Sequence, residues 1–217
     1  TGRMAGLLRR QPAGCRGYSD GNRQDGGATQ TATGRMAVLL TTAGTRAVKT
    51  PEDSKRTLEV LRPGTIGYPA AFERQQQLAQ QCLESGGRRN FLLLLEHPPL
   101  ITIGRSGDRD DLRASPRLLR QRGVEILESN RGGKVTFHGP GQLVGYPVID
   151  LRARGEDLHR YLRDLETWLI RLLGGYGIEA ETTSEHTGVW VGGAKIASIG
   201  IAVRRWISYH GIALNVT

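Results

Sequence analysis

The chain has 217 residues, of which 30 are Lys or Arg and 21 are Asp or Glu, and its formal net charge is +9. This length suits one domain, alone or with a tail, and a hydrophobic content of 38% excludes a wholly disordered chain. The clearest apolar run, residues 91–95, is far shorter than the roughly 20 residues that a membrane-spanning helix needs. Two cysteines, Cys15 and Cys82, are too few for a disulfide framework, which predicts a reduced compartment, the cytoplasm.

Much of the positive charge lies at the start of the chain. Residues 1–59 hold ten of the basic residues and five of the acidic ones, and they are rich in Gly, Thr, Arg and Gln. Because they show neither a helical nor a strand period, we predict that residues 1–56 form a disordered basic tail. Such a tail could be an organellar transit peptide, a basic arm for nucleic acid or a segment without a role. The lack of interleaved aromatic residues argues against a specific nucleic-acid reader, so nucleic acid is not an expected partner.

The folded domain is predicted to begin at residue 57, where polar and apolar residues alternate as they do in a strand. Pro69 then stands where a helix can begin. At helical spacing, Ala71, Leu78 and Cys82 fall on one face of that helix. This face is predicted to pack against the core.

Strands dominate the rest of the chain. Residues 91–95 are an unbroken apolar run, which predicts a fully buried strand. Leucines at helical spacing predict an amphipathic helix over about residues 155–173, and a shorter helix is predicted at residues 116–122. Further strands are predicted at residues 100–103, 124–127, 134–137, 142–149, 178–181, 188–191, 195–203 and 208–215. This pattern predicts an α+β domain with one large, mostly antiparallel sheet flanked by helices.

Residues 131–142, with the sequence RGGKVTFHGPGQ, form the first candidate site. Gly132 and Gly133 allow a ligand to approach closely and can present backbone N–H groups to an anion. Arg131 adds a fork of donors for a carboxylate, carbonyl or phosphate, and His138 lies on a constrained loop that can face a ligand. The same residues would also suit a tight hairpin with a surface arginine and a hydrogen-bonded histidine. The segment lacks the spacing of a Walker loop or a Rossmann fingerprint.

Lys195 is the second candidate, because it follows closely on two glycines and precedes an apolar strand. Loss of water around its amine would lower its pKa and suit it to acid–base chemistry, although a solvated hairpin lysine fits the pattern too. His210 precedes a glycine and could line a pocket or be a partly buried histidine with a backbone partner. Neither His138 nor His210 has a carboxylate or cysteine at ligand spacing, so no metal site is predicted. Cys82 is predicted to be a core residue, and no residue stands out as a nucleophile.

Three blocks of sequence together resemble the lipoyl(octanoyl) transferases, the octanoyltransferase family of lipoate biosynthesis. The blocks are residues 92–105 (LLLLEHPPLITIGR), 131–146 (RGGKVTFHGPGQLVGY) and 188–216 (GVWVGGAKIASIGIAVRRWISYHGIALNV). The resemblance spans about residues 57–217 and implies a fold like that of the biotin and lipoate protein ligases. It implies an enzyme of protein lipoylation that moves an octanoyl group from acyl carrier protein to a lysine of a lipoyl domain, without a metal or cofactor.

The resemblance also implies roles for individual residues. Lys195 would lower the pKa of a cysteine nucleophile that carries the octanoyl group as a thioester. The acyl pocket would be lined by three segments: Arg131, Gly132, Gly133, Lys134, Val135, Thr136, Phe137 and His138; Ser198, Ile199 and Gly200; and Gly211, Ile212 and Ala213.

The partners that the resemblance implies are octanoyl-acyl carrier protein, the lipoyl domains of 2-oxoacid dehydrogenase E2 subunits and the glycine cleavage H protein. Such partners are typically acidic, so a basic rim would steer them towards the site. Candidates for this rim are Arg88, Arg89, Arg204 and Arg205, which could equally be solvated surface charges. No membrane partner is expected.

The nucleophile of the family lies in a Pro-Cys-Gly motif after the last block. We therefore expect it beyond Thr217, and we expect the domain over residues 57–217 to be incomplete and inactive by itself. Neither Cys15 nor Cys82 can replace it, because both precede the pocket segments. Two other functions stay open: an ATP-dependent lipoate or biotin protein ligase, which needs no cysteine, and a non-catalytic module that binds an acyl group without transferring it.

Overall fold

The computed structural model describes residues 46–49 and 56–216. Its helices are α1 (Tyr68–Glu84), α2 (Pro116–Gln121) and α3 (Leu158–Gly174), with short 3₁₀ turns at Arg109–Asp111 and Arg152–Arg154. Its strands are β1 (Arg46–Lys49), β2 (Thr57–Thr65), β3 (Arg89–Glu96), β4 (Leu100–Ile103), β5 (Glu125–Glu128), β6 (Val135–His138), β7 (Gln142–Val148), β8 (Gly188–Val191), β9 (Ala194–Arg204) and β10 (Ile207–Asn215).

The larger sheet has seven strands in the order β1-β2-β3-β7-β10-β9-β8. Neighbouring strands are antiparallel except β2 and β3. These two run parallel because α1 carries the chain back between them. The sheet is the large, mostly antiparallel one that the sequence predicts.

A second sheet of three strands, in the order β5-β4-β6, is not predicted by the sequence pattern. Strand β4 does not continue β3 in the large sheet, because Pro98 and Pro99 lack the amide hydrogens that sheet pairing needs. It pairs instead with β5 in parallel and with β6 antiparallel. Strand β6 carries the second half of the glycine-rich segment, so the small sheet anchors that segment.

Helices α1 and α3 cover opposite faces of the large sheet. Helix α1 buries Leu78 and Cys82 in a cluster with Val144 of β7, as its predicted apolar face requires. Helix α3 buries Leu169 in a second cluster, against which Leu143 of β7 packs. Because adjacent residues of a strand point to opposite faces, the two clusters lie on the two sides of the sheet.

Two strand predictions differ from the structure. Residues 91–95 form a strand, but its side chains alternate between buried and partly exposed, so the prediction of full burial is wrong. Residues 178–181 do not form a strand; a single bridge joins Glu181 to Trp190. Ile178 and Ala180 pack against the α3 cluster, which explains the apolar pattern that suggested a strand.

The predicted disordered tail over residues 1–56 lies mostly outside the described residues. Within it, Arg46–Lys49 form β1, which pairs antiparallel with β2. In the part of the chain that the structure describes, no helix is long and apolar enough to cross a membrane.

Candidate functional site

A narrow cleft lies between the middle of β9 and β10 and the glycine-rich segment above them. It holds about 310 Å³ of empty space when its open mouth is counted. Eight of the predicted pocket residues line it: Arg131, Thr136, His138, Ser198, Gly200, Gly211, Ile212 and Ala213. Three further lining residues are absent from the predicted set: Tyr68, Tyr146 and His210.

Glycines let the segment and the sheet approach each other closely. The Gly132 amide donates a hydrogen bond to the Ile201 carbonyl of β9 at 2.8 Å. A Cβ atom on Gly200 would lie 2.7 Å from the Gly132 carbonyl oxygen, closer than real Cβ atoms approach backbone. Gly200 therefore permits residues 131–133 to cross over β9, and this crossing brings Arg131 to the cleft.

The guanidinium of Arg131 holds the glycine-rich segment in shape. The residue is buried, with 7% of its surface exposed. Its nitrogens donate to the carbonyls of Thr102, Gly132 and Lys134 at 2.8 to 2.9 Å, and to the Thr102 hydroxyl at 2.8 and 3.1 Å. The predicted fork of donors is thus hydrogen-bonded to carbonyls of the protein itself, and its burial excludes the alternative of a surface arginine.

His138 is buried in a hydrogen-bond network that keeps it neutral. The Gln142 amide nitrogen donates to the Phe137 carbonyl, so the Gln142 side-chain oxygen faces His138 and accepts a hydrogen bond from its Nδ1–H at 2.8 Å. The Thr102 hydroxyl, which accepts from Arg131, donates its own hydrogen to His138 Nε2 at 3.3 Å. Burial lowers the pKa of His138 to about 3, so the imidazole is uncharged at neutral pH.

The buried imidazole makes stability depend on pH. The unfolded chain takes up a proton near pH 6.5 and the folded chain near pH 3, so the unfolded state binds more protons between these values. Stability is therefore lost as the pH falls through this window. We expect H138Q to flatten the decline by up to about 1.4 kcal/mol per pH unit. Urea unfolding between about pH 7 and about pH 4 measures the slope.

The control is H159Q, which changes an exposed histidine and should leave the slope as it is. An H138Q slope equal to that of the unsubstituted protein would contradict the neutral, buried state of His138.

His210 is the main cleft residue outside the predicted set. It is 1% exposed, its ring stacks on Phe72 with centroids 5.4 Å apart, and its backbone φ is +56°. Asn130 donates to the Tyr209 hydroxyl, so its side-chain oxygen accepts from His210 Nε2 at 2.7 Å. The other ring nitrogen, Nδ1, carries no hydrogen in this tautomer and is buried without a hydrogen-bond partner in the described structure. Of the two sequence interpretations, pocket lining is the one confirmed.

Tyr68 and Tyr146 carry no local sequence signal of a site. Tyr68 begins α1, and its hydroxyl shares a 2.6 Å hydrogen bond with Ser129. Tyr146 lies in the middle of β7, and its hydroxyl is 2.8 Å from His97 Nε2. Both reach the cleft through tertiary packing, which local patterns do not reveal.

Strand alternation removes several predicted residues from the cleft. Thr136 and His138 of β6 face it, whereas Val135 and Phe137 pack against the small cluster around α2. Ile199 of β9 is buried against α3 on the far side of the sheet. These three residues were predicted to line the pocket, and their side chains do not.

The loop residues also have other tasks. Lys134 is exposed and pairs with Asp111 at 3.1 Å, and its carbonyl accepts from Gly104. Gly132 and Gly133 supply backbone groups to β9 and to the Gly104 loop. These two glycines hold the backbone beside the cleft and do not line it.

A bulge in β9 decides which way Lys195 faces. Val189 pairs with Ala197, whereas the next residue of β8, Trp190, pairs with Lys195, so Ile196 is an extra residue. Paired residues share a face and neighbours alternate. Lys195 therefore lies on the face opposite Ala197, which is the cleft face, three residues from Ser198.

The amine of Lys195 is held by its neighbours although the residue is exposed. Its Nζ donates to the Thr187 carbonyl at 2.9 Å and lies 4.9 Å from the centre of the Trp190 ring. Burial of the amine lowers its pKa, and the negative charge of Glu166 opposes this effect. The direction of this pKa shift is the one that the predicted loss of hydration around Lys195 would produce.

Cys82 is a core residue, as predicted. It is fully buried on the inner face of α1, and burial raises the pKa of its thiol to about 11. A thiol with such a pKa is almost entirely protonated at neutral pH and is a poor nucleophile. Cys82 is the one cysteine among the described residues 56–216. Its thiol is free, and it does not line the cleft.

The arginines proposed as a basic rim lie away from Lys195. Arg204 is the last residue of β9 and Lys195 is near its start, so they occupy opposite ends of the strand. Arg89 pairs with Thr57 at the start of β3 and forms an ion pair with Glu59. The rim hypothesis therefore gains no support from their position.

A second, more open cavity adjoins the cleft. It is polar and holds about 990 Å³ of empty space including its mouth. Its lining includes Arg105, Arg109 and Ser129. Ser129 bonds to Tyr68 of the cleft, so the two spaces are neighbours.

Comparison with known proteins places this architecture in a family. Residues 67–217 match the lipoyl protein ligase A/B catalytic domain. An octanoyltransferase of Geobacter metallireducens is 53% identical over 154 residues, which are 71% of this chain and 68% of that protein. An octanoyltransferase of Rubrobacter xylanophilus is 50% identical over 168 residues, which are 76% of this chain and 75% of that protein.

Solved structures agree on the fold. A bipartite lipoate protein ligase of Thermoplasma acidophilum has a TM-score of 0.55 and 17% identity, over 72% of this chain and 60% of the ligase. A lipoate-protein ligase A bound with ATP has a TM-score of 0.54, over 73% of this chain and 65% of that chain. This chain therefore spans less than two thirds of either ligase. The fold is that of the lipoate protein ligases, and the chain belongs to the lipoyl protein ligase A/B catalytic domain family, among the octanoyltransferases.

Proposed function

We propose that this protein transfers an octanoyl group from acyl carrier protein to a lysine of a lipoyl domain, through a cysteine thioester. The observation that carries the proposal is the position of Lys195. A bulge turns it to the same face of the sheet as a cleft lined by Gly200 and Gly211, and burial of its amine lowers its pKa. The octanoyltransferase relatives support the choice of acyl group.

In the proposed first step, a cysteine thiolate attacks the carbonyl carbon of the carrier thioester. A new bond joins the cysteine sulfur to the acyl carbon as the carrier sulfur leaves, and the ammonium of Lys195 protonates that sulfur. The cysteine is the one that the family resemblance implies beyond Thr217. A cation beside it favours its thiolate form, and an amine of lowered pKa releases its proton readily.

In the second step, the amine of the lipoyl-domain lysine attacks the acyl-cysteine. An amide bond forms, the cysteine leaves as a thiolate, and the lost amine proton returns to Lys195. The pair of thiolate and ammonium is thereby restored. Octanoyl-acyl carrier protein and lipoyl domains, such as those of 2-oxoacid dehydrogenases and of the glycine cleavage H protein, are thus the proposed partners, and the cytoplasm is the proposed location.

The lining of the cleft supports an acyl chain as its ligand. Gly200 and Gly211 line the cleft without side chains, and Ala213 adds an apolar methyl group. His138 is neutral there, so the chain would meet no added charge from it.

A comparison of donors tests the proposal. The protein that includes the cysteine is mixed with an unmodified lipoyl domain, and the mass of that domain is followed. We expect octanoylation from octanoyl-acyl carrier protein without ATP, and none from free octanoate with ATP and Mg²⁺. The reverse result would make the protein an ATP-dependent ligase, and binding of the carrier without any transfer would make it an acyl-binding module.

A further inference from the structure

A buried carboxylate lies behind Lys195. Glu166 of α3 is 1% exposed, which is rare for a charged side chain. Its Oε2 accepts a hydrogen bond from Arg163 Nη1 at 2.6 Å, and its Oε1 accepts one from the Gly188 amide at 2.9 Å. Each carboxylate oxygen therefore accepts one hydrogen bond, and the two bonds fix the orientation of the carboxylate.

One peptide group joins this carboxylate to Lys195. The N–H of Gly188 donates to Glu166, and the carbonyl of the same peptide bond, from Thr187, accepts from Lys195 Nζ at 2.9 Å. The carboxylate pulls on the hydrogen end of the peptide, which makes the oxygen end a stronger acceptor for the ammonium. Glu166 and Lys195 thus form a charge pair with a peptide plane between them.

Gly188 is required at this place. Its φ is +143°, and a Cβ atom there would lie 2.5 Å from Lys195 Cε and 2.7 Å from the Ala197 carbonyl oxygen. The bare α-carbon therefore leaves room for the lysine stem. Glu166 fixes the orientation of the Thr187–Gly188 peptide, and in that orientation the peptide carbonyl accepts the hydrogen bond from Lys195.

Other charged groups near Lys195 make no such contact. Strand β8 carries no titratable side chain, and the segment before it carries Glu181, Glu185 and His186. None of these three side chains is hydrogen-bonded to Lys195 in the described structure. From α3, Glu166 supplies the negative charge that acts on Lys195, and Arg163 forms an ion pair with Glu166.

We propose that Glu166 is a positioning residue, which holds the Lys195 amine in place and stabilises its charged form through the Thr187–Gly188 peptide. The importance of Lys195 rests on the proposed function. The effect of Glu166 on Lys195 does not depend on the proposed function, because it is measured as the pKa of the Lys195 amine alone.

The test measures the pH dependence of Lys195 acetylation. The chain is trace-labelled with acetic anhydride over a range of pH, and the rate for the Lys195 peptide is followed by mass spectrometry. Its midpoint is the pKa of the amine. E166Q removes the negative charge, so we expect the midpoint to fall by roughly 0.5 to 1 pH unit. R163Q removes the opposing positive charge and keeps the carboxylate, so we expect a rise.

Opposite shifts separate this role from simple damage to the fold. D164N removes a negative charge from the exposed side of α3, where Asp164 pairs with Arg154, and should leave the midpoint unchanged. If E166Q fails to fold, R163Q still decides, since Arg163 is 57% exposed. Equal midpoints for R163Q and the unsubstituted chain, or for E166Q when it folds, would overturn the proposal even if octanoyl transfer is observed. Absence of transfer with shifted midpoints would overturn the proposed function alone.

Discussion

Replacement of Lys195 by alanine is expected to slow octanoyl transfer by about 10²- to 10⁴-fold in the protein that includes the nucleophilic cysteine. The substitution removes the cation that favours the thiolate and the group that moves protons between the two thiols and the amine. The side chain contacts Thr187 and Trp190 at the surface, so its loss should leave the fold intact. Transfer rates and circular dichroism measure these two effects.

K195R is the matched control, because arginine keeps the positive charge but does not release a proton near neutral pH. We expect K195R to retain a reactive thiolate, measured by alkylation of the cysteine across pH, and still to transfer slowly. We expect K195A to lose the reactive thiolate as well and to transfer slowly. Near-normal transfer by K195A would end the role proposed for this lysine.

Replacement of Arg131 by lysine is expected to destabilise the fold by about 3 kcal/mol or more and to abolish acyl binding. The guanidinium donates to three carbonyls and one hydroxyl in a buried site, and a lysine amine cannot reach all of them. Each buried acceptor that loses its donor costs about 1 to 3 kcal/mol. Urea unfolding gives the stability, and calorimetry with an octanoyl thioester gives the binding.

Arg105 offers the control, because it is exposed on the adjoining loop and the same substitution there removes no buried bond. R105K should unfold like the unsubstituted protein. An R131K protein as stable as R105K would mean that the guanidinium does not hold the glycine-rich segment, contrary to the hydrogen bonds that it makes.

Periodicity and turn residues predict most of the fold. The helix after Pro69, the long helix with its leucines and most strands of the large sheet appear where the pattern indicates. The three-stranded sheet does not follow from local sequence, because strand partners are chosen by long-range packing. Residues 178–181 show the complementary error, since apolar residues beside a helix imitate a strand.

The candidate site is predicted only in part. The glycine-rich segment indicates the cleft, but a continuous list of residues ignores that β6 sends Val135 and Phe137 to the other side. The direction of Lys195 depends on a single bulge at Ile196, which strict alternation along β9 would miss. Tyr146 and Glu166 act across distant elements, and no local pattern marks them.

The most direct test is a crystal structure of the protein with the octanoyl thioester of cysteamine. We predict that the acyl chain lies in the cleft between Gly200, Gly211 and His138, with its carbonyl turned towards Lys195. An acyl chain in the neighbouring polar cavity beside Arg105, with the cleft empty, would contradict the assignment of the cleft as the octanoyl site.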